Sequence, residues 1–351
     1  MDLKKTARGI FEHYREIYPE VKHYYGIIAC YGLTLFCEQN PQDESLKKLH
    51  HDVLSRFPDN IDHPDYNFPS YRIGGIATAR SVYKGLLTGA EYRERLQTYA
   101  EELMHARRSP DGFVSMPYEG GENKVWIDVA SAATPFLLYS GLVLQNRQYL
   151  DEAVFQTLAM YKVFLDPSCG LLHQSRGFCG AGQLSEDHWS RGNGWGLFPL
   201  AELCADLPDD HPQKENCIRQ FRAHVEALCA CRTSDGLWRQ ELVLDHLGEL
   251  DSYRETSGSG LILYAIGRGI HTGVLPREPY LAVLRQGVRS LVDYAVGEDG
   301  SIHHSCPGCL CPGDGSVFYY LSKRPFPDEP HGAGPVLMAL AAAQLCGLED
   351  L

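Results

Sequence analysis

Apolar residues recur along this chain at helical spacings of three and four, and strand-like alternation is rare. What changes from segment to segment is how far round the helix the apolar positions reach. Leu3 to Tyr18 carries Ile10, Phe11 and Tyr14 on one side of a polar helix, whereas Tyr24 to Phe36 is nearly uncharged all round, as a helix buried on every face should be. The alternation continues. Ser45 to Phe57 is amphipathic and Gly74 to Leu87 small and apolar; Ala90 to Arg107 is charged and Asp128 to Leu144 apolar. Gln148 to Phe164, Gln213 to Ala230 and Arg277 to Val296 then interleave with the apolar Gly194 to Cys204, Thr256 to Ile270 and Gly332 to Leu345. The pattern predicts six surface helices alternating with six buried ones.

A small loop signal ending in a glycine and an apolar residue punctuates this pattern. It occurs as Asp111-Gly112-Phe113, Cys169-Gly170-Leu171, Asp235-Gly236-Leu237 and Asp299-Gly300-Ser301-Ile302, at intervals of 58, 66 and 64 residues. Periods on this scale mark stacked supersecondary units, and here the unit is a helical hairpin whose second helix is buried. Six hairpins closing on themselves give an all-α fold, the (α/α)6 barrel, with 1–351 as a single domain. A linear solenoid of the same period would expose two ends and would not need helices buried on every face. Parallel inner helices would gather their N-termini at one rim, each worth ~0.3–1 kcal/mol toward a nearby anion. The residues just ahead of them would line that mouth: His23 with Tyr24 and Tyr25, Tyr71 with Arg72, Trp126 with Asp128, His188 through Trp195, Glu255 and His331. Loops carrying His173 and Trp238 fall at the same end.

The stretch from Asp187 to Trp195 (Asp-His-Trp-Ser-Arg-Gly-Asn-Gly-Trp) concentrates the candidate chemistry. Its polar groups would be costly in a core without partners, so it reads as a site. Arg191 offers a planar fork matched to a carboxylate, Trp189 and Trp195 offer flat apolar faces suited to sugar rings, and the glycines let a turn run into a helix start. An acidic sugar is the implied ligand. Asp128, among Trp126, Ile127, Val129 and Ala130, is the candidate general acid, because apolar surroundings raise a carboxyl pKa. Glu255 reads equally as a second carboxylate or as a helix cap. His173, His188 and His331 are candidate hydroxyl binders.

A net charge of −13 argues against nucleic acid or an anionic membrane surface as partner. No secretory h-region opens the chain and no run is long enough to span a bilayer, so the cytoplasm is expected. Among twelve cysteines, Cys306, Cys309 and Cys311 follow His303 and His304 closely enough to suggest zinc. The tight spacing of Cys309 and Cys311 and the flanking prolines and glycines fit a shaped loop better, and no metal is expected. No phosphate loop, Ser-His-Asp spacing or zinc protease motif is present.

Four segments carry a family resemblance: Val125-Trp126-Ile127-Asp128 with Pro135-Phe136, Trp189 through Trp195, Glu255-Thr256-Ser257, and His331-Gly332-Ala333-Gly334. In these the chain resembles the unsaturated rhamnogalacturonyl hydrolases of glycoside hydrolase family 105, related to the unsaturated glucuronyl hydrolases of family 88. The resemblance implies an (α/α)6 barrel that hydrates the C4=C5 double bond left on a uronic acid by a polysaccharide lyase. It assigns Asp128 as acid and base, Arg191 and Trp195 as holding the uronate, and Trp189, His173 and Trp126 as surrounding the sugar. It implies no metal or organic cofactor, and a small unsaturated oligosaccharide as the substrate, with the oligomeric state left open. One departure stands upstream: the family usually carries another aspartate ahead of the second inner helix, where this chain reads Asn67-Phe68-Pro69-Ser70-Tyr71-Arg72, with Asp65 outside the pattern. Two alternatives remain, a uronidase or epimerase on the same barrel and a non-catalytic carbohydrate-binding relative.

Overall fold

The structure is a computed structural model that describes residues 2–61, 66–115, 123–243, 251–308 and 316–349. Six helices form an outer layer: α1 (Leu3–Ile17), α3 (Glu44–Leu54), α5 (Ala90–Met104), α7 (Arg147–Phe164), α9 (Lys214–Ala230) and α11 (Arg277–Ala295). Six more form an inner ring: α2 (Tyr24–Gln39), α4 (Gly75–Tyr83), α6 (Asp128–Leu144), α8 (Ser190–Asp206), α10 (Thr256–His271) and α13 (Ala333–Leu345). Each inner helix packs on the next in that order, and α13 packs back on α2 and closes the ring. A helical segment, α12 (Val317–Leu321), precedes α13. Two short antiparallel pairs brace the loops, β1 (Val125–Trp126) with β4 (Ser175–Arg176) and β2 (Leu165–Asp166) with β3 (Leu171–Leu172). One apolar cluster runs through both layers, from Leu3 to Leu348. No helix among the described residues is long and apolar enough to cross a membrane.

The inner ring is tight because its helices meet through small residues. A side chain on Gly258 would lie 2.5 Å from Ser190 Oγ and 2.6 Å from the Arg191 nitrogen, so α10 can approach the start of α8 only with glycine there. Sequence spacing puts the start of α8 at Gly194, but the helix begins at Ser190. Gly192 and Gly194 are therefore helical rather than turn residues, and the loss of intrinsic helix propensity at each, about 1 kcal/mol relative to alanine, is offset by packing. Gly194 makes room for Leu261 of α10.

A proline inside α8 ties it to α6. Pro199 has no N–H to offer the carbonyl four residues back, which is that of Trp195. That carbonyl instead accepts from Ser131 Oγ of α6 at 2.6 Å.

At the C-terminal end of the ring lies a buried network of charges. Glu202, fully buried, accepts from Arg80 Nη1 at 2.8 Å, from the hydroxyls of Tyr139 and Tyr264, and from Arg268 Nη2 at 3.4 Å. Arg80 also pairs with Glu38 (2.5 Å), and Arg268 with Asp206 (2.8 Å). Burial pushes the Asp206 carboxyl up, but Arg268, Arg80 and Lys84 outweigh it and hold its pKa below the ordinary value. These groups close the floor of the barrel.

Candidate active site

The N-terminal ends of the inner helices surround a cavity of about 300 Å3. Tyr24 of α2, Asp128 of α6, Arg191 and Trp195 of α8, and His331 just ahead of α13 all line it. Segments far apart in sequence meet here because each stands at the same end of a parallel ring.

Asp128 is the first residue of α6, and the ring partly buries it. What exposure remains faces the cavity. Its Oδ2 is shielded and has no hydrogen-bond partner among the described residues. Burial raises its pKa to about 7 and nearby Asp187 adds to the rise, while the charge of Arg191 and the Gln174 side-chain amide pull the other way. A carboxyl poised near neutrality can give up and retake a proton at working pH.

Arg191 is buried over the Trp189 ring, 4.4 Å from its centroid. Its Nη1 donates to Ser257 Oγ (3.0 Å) and the Cys306 carbonyl (2.6 Å), and its Nη2 to the Gly308 carbonyl (3.0 Å). Only Nε, buried and without a hydrogen-bond partner among the described residues, is not engaged in this way. The fork that the sequence assigns to a ligand carboxylate therefore also pins the start of α10 and the segment after α11. A second cation, Lys323, lines the cavity beside Tyr319 of α12.

The aromatic residues divide. Trp126 stacks on Phe178 (ring centroids 4.7 Å apart, 14° between planes) and on Tyr66 (6.1 Å, 19°), so its faces are already covered in part by protein rings. Trp189 and Trp195 line the cavity and are nearly fully buried. Tyr66 and Tyr71 stand on the cavity wall, and burial together with Asp128 raises the Tyr71 phenol pKa. Asp65 itself lies outside the described residues.

Three of the expected ligand groups stand behind the wall. Glu255 caps α10 by accepting from the backbone N–H of Ser257 (3.0 Å) and Gly258 (2.6 Å), and it also accepts from the Cys306 N–H at 3.0 Å. The cap reading describes its position. His188 bonds Asp166 Oδ2 through Nε2 (3.1 Å), and its Nδ1 lies 3.7 Å from Glu241. Burial would lower the His188 pKa, but Glu241, Asp187 and Asp166 raise it overall. His173 lies beside His188, ring centroids 4.7 Å apart, and burial followed by the His188 charge lowers its pKa.

Asp166, Cys169 and His188 bring donor atoms within 4.8 Å of one another, a set that could hold a metal ion. Of the cysteine cluster expected from sequence, Cys309 and Cys311 lie outside the described residues. Cys306 donates its thiol to the Gly308 carbonyl at 3.0 Å.

Sequence reasoning missed Gln174, Ser131, Tyr66, Lys323 and Glu329. Gln174 and Ser131 carry no charge to mark them. Glu329 had a signal in its position two residues before His331, whose Nδ1 bonds Glu329 Oε1 at 2.5 Å.

The sequence model of Glycosyl Hydrolase Family 88 matches residues 10–345. An unsaturated 3S-rhamnoglycuronyl hydrolase of Formosa agariphila is 29% identical over 185 residues, which is 50% of this chain and 48% of that protein. The chain thus spans about half the length of that relative. An unsaturated rhamnogalacturonyl hydrolase of Bacillus subtilis is 25% identical over 290 residues, covering 81% of this chain and 78% of its own. A crystal structure of a possible GH105 family member from Salmonella enterica superimposes with a TM-score of 0.81 at 18% identity, over 99% of this chain and 94% of the other, a likeness of fold.

Proposed function

The chain belongs to Glycosyl Hydrolase Family 88, and from that premise we propose that it hydrates the C4=C5 double bond of an unsaturated uronyl oligosaccharide. The observation that carries this reading is Asp128, among the described residues the one carboxyl that lines the cavity, raised to about 7 and without a partner at Oδ2. Ordinary glycoside hydrolysis needs two carboxyl groups flanking one bond. Glu255, the other carboxylate the sequence offers, is engaged in capping α10, which disfavours a paired-acid uronidase.

In the proposed reaction protonated Asp128 gives its proton to C4, and water adds at C5. The resulting C5 hemiketal opens by breaking its bond to the ring oxygen, which leaves C1 as a hemiacetal, and the linked sugar departs as that hemiacetal collapses to an aldehyde. Arg191 through Nε, with Lys323 across the cavity, supplies positive charge for the uronate carboxylate. Trp195 and Trp189 supply the apolar wall.

The test is a panel of lyase-generated unsaturated disaccharides followed by the fall in double-bond absorbance. The expected result is loss of absorbance with at least one member and release of its reducing-end sugar. A saturated product from a saturated substrate, with no change on any unsaturated one, would point to the uronidase or epimerase instead. Binding without turnover would point to a carbohydrate-binding protein.

A further inference from the structure

Opposite Asp128 the mouth holds a second set of proton-carrying groups. In the closed ring α13 stands three places from α6 in either direction, so His331, just ahead of α13, lies across the opening from Asp128. His331 Nδ1 contacts Glu329 Oε1 at 2.5 Å, and its Nε2 bonds the Tyr24 hydroxyl. Glu329 is buried at 3% exposure, whereas Tyr24 and His331 line the cavity.

The contact with Glu329 sets the tautomer. An ionised carboxylate only accepts, so Nδ1 carries the hydrogen and Nε2 presents its lone pair to the Tyr24 O–H. This is the order of groups in a serine hydrolase triad, nucleophile or base, imidazole and buried carboxylate, with a phenol in the first place. A phenol oxygen on the cavity wall can take a proton from water as it passes its own to the imidazole.

We infer that Tyr24, held by His331 and Glu329, is the base that deprotonates the water attacking C5, while Asp128 protonates C4 from the other side. This rests on the hydration reading above. The water proton moves to Tyr24 Oη as the Tyr24 proton moves to His331 Nε2, and the hydroxide so formed bonds to C5 as Asp128 gives its proton to C4. The imidazolium, stabilised by Glu329, then returns its proton to solvent and Asp128 regains one, so each turnover consumes one water.

The relay requires neutral His331. The groups facing His331 are Glu329 on its own segment, Arg191 of α8, Glu255 ahead of α10, and the Tyr24 and Tyr25 rings of α2. Burial and then Arg191 lower its pKa, and Glu329 and Glu255 oppose them. The acid limb of the rate profile therefore falls below the ordinary histidine value of about 6.5, and the alkaline limb falls where Asp128 ionises, near 7.

The experiment compares wild type, Tyr24→Phe and Glu329→Gln on an unsaturated disaccharide that the wild type consumes, across pH, with thermal melts as a check on folding. Tyr24→Phe keeps the ring, and its kcat should fall about 100-fold or more, with KM within about threefold and the acid limb gone while the alkaline limb stays. Glu329→Gln should lower kcat about tenfold or more and move the acid limb to lower pH, because the imidazolium loses its carboxylate. A structural role for Glu329 would lower the melting temperature without moving the limb.

Tyr24→Phe with kcat within about threefold of wild type and an unchanged acid limb overturns the relay, and leaves the hydration reading standing so long as Asp128→Asn is inactive. A wild-type protein inert toward every unsaturated uronide overturns both.

Discussion

The two ends of the inner ring are built from the same side chains and put them to opposite ends. At the floor Glu202 accepts from Arg80, Arg268, Tyr139 and Tyr264, and Arg268, Arg80 and Lys84 hold Asp206 ionised against its burial. At the mouth Asp128 Oδ2 and Arg191 Nε are shielded from water and unpaired among the described residues, and the Asp128 carboxyl titrates near 7. Both arrangements take polar groups out of water. The floor recovers hydrogen bonds at both Glu202 oxygens and so carries stability, whereas the mouth leaves Asp128 Oδ2 and Arg191 Nε without one among the described residues.

The sharpest way to break this contrast is Asp128→Asn. Turnover should drop by about 1,000-fold or more, since the amide has no proton to give. Folding should not suffer. Asp128 keeps its proton to about pH 7 in the folded protein but only to about 4 in the unfolded chain, so wild-type stability falls as pH rises through that window. The amide variant lacks this loss. Denaturant melts should show its advantage growing from pH 4 to pH 7, on the order of 2–4 kcal/mol, and a variant less stable than wild type at pH 7 would place Asp128 among the structural groups.

Glu202→Gln tests the other end. It leaves two buried arginines short of a carboxylate, and loss of one partner from a buried ion pair costs roughly 3–5 kcal/mol. Specific activity per folded molecule should stay within about twofold at a temperature where the variant is folded. Asp206 sharpens the point: its depressed pKa means that floor stability is lost as pH falls below the ordinary carboxylate range, the opposite sign to Asp128. The smallest effect is expected at Glu255→Gln, where weakening a cap costs about 0.5–2 kcal/mol and kcat changes less than it does in Asp128→Asn.

The barrel was legible because burial on every face leaves a mark that local sequence carries: α2 and α13 are apolar all round, and amphipathic helices separate the inner ones. Asp128 and Arg191 were legible as polar residues placed where inner helices begin. The floor was not. Glu38, Arg80, Glu202 and Arg268 each appear as a lone charge in an apolar run, and nothing local says that four helices bring them together. The start of α8 was misplaced because Gly192 and Gly194 read as turn formers, and only contact with Trp189 and Leu261 makes them helical. His188 and Glu255 look like ligand groups in one dimension, but Asp166 and the first turn of α10 already hold them.

The carbonyl that Pro199 leaves without an N–H has a consequence for motion. By giving up one rung of its own ladder at Trp195, α8 gains a crosswise tether to Ser131, one turn below Asp128. The helix is softer along its axis there and stiffer against sliding past α6. Displacing Arg191 sideways from Asp128 would strain this bond, for which the carbonyl has no competing helical donor, so the spacing of acid and cation is guarded at the point where the helix is weakest along its length.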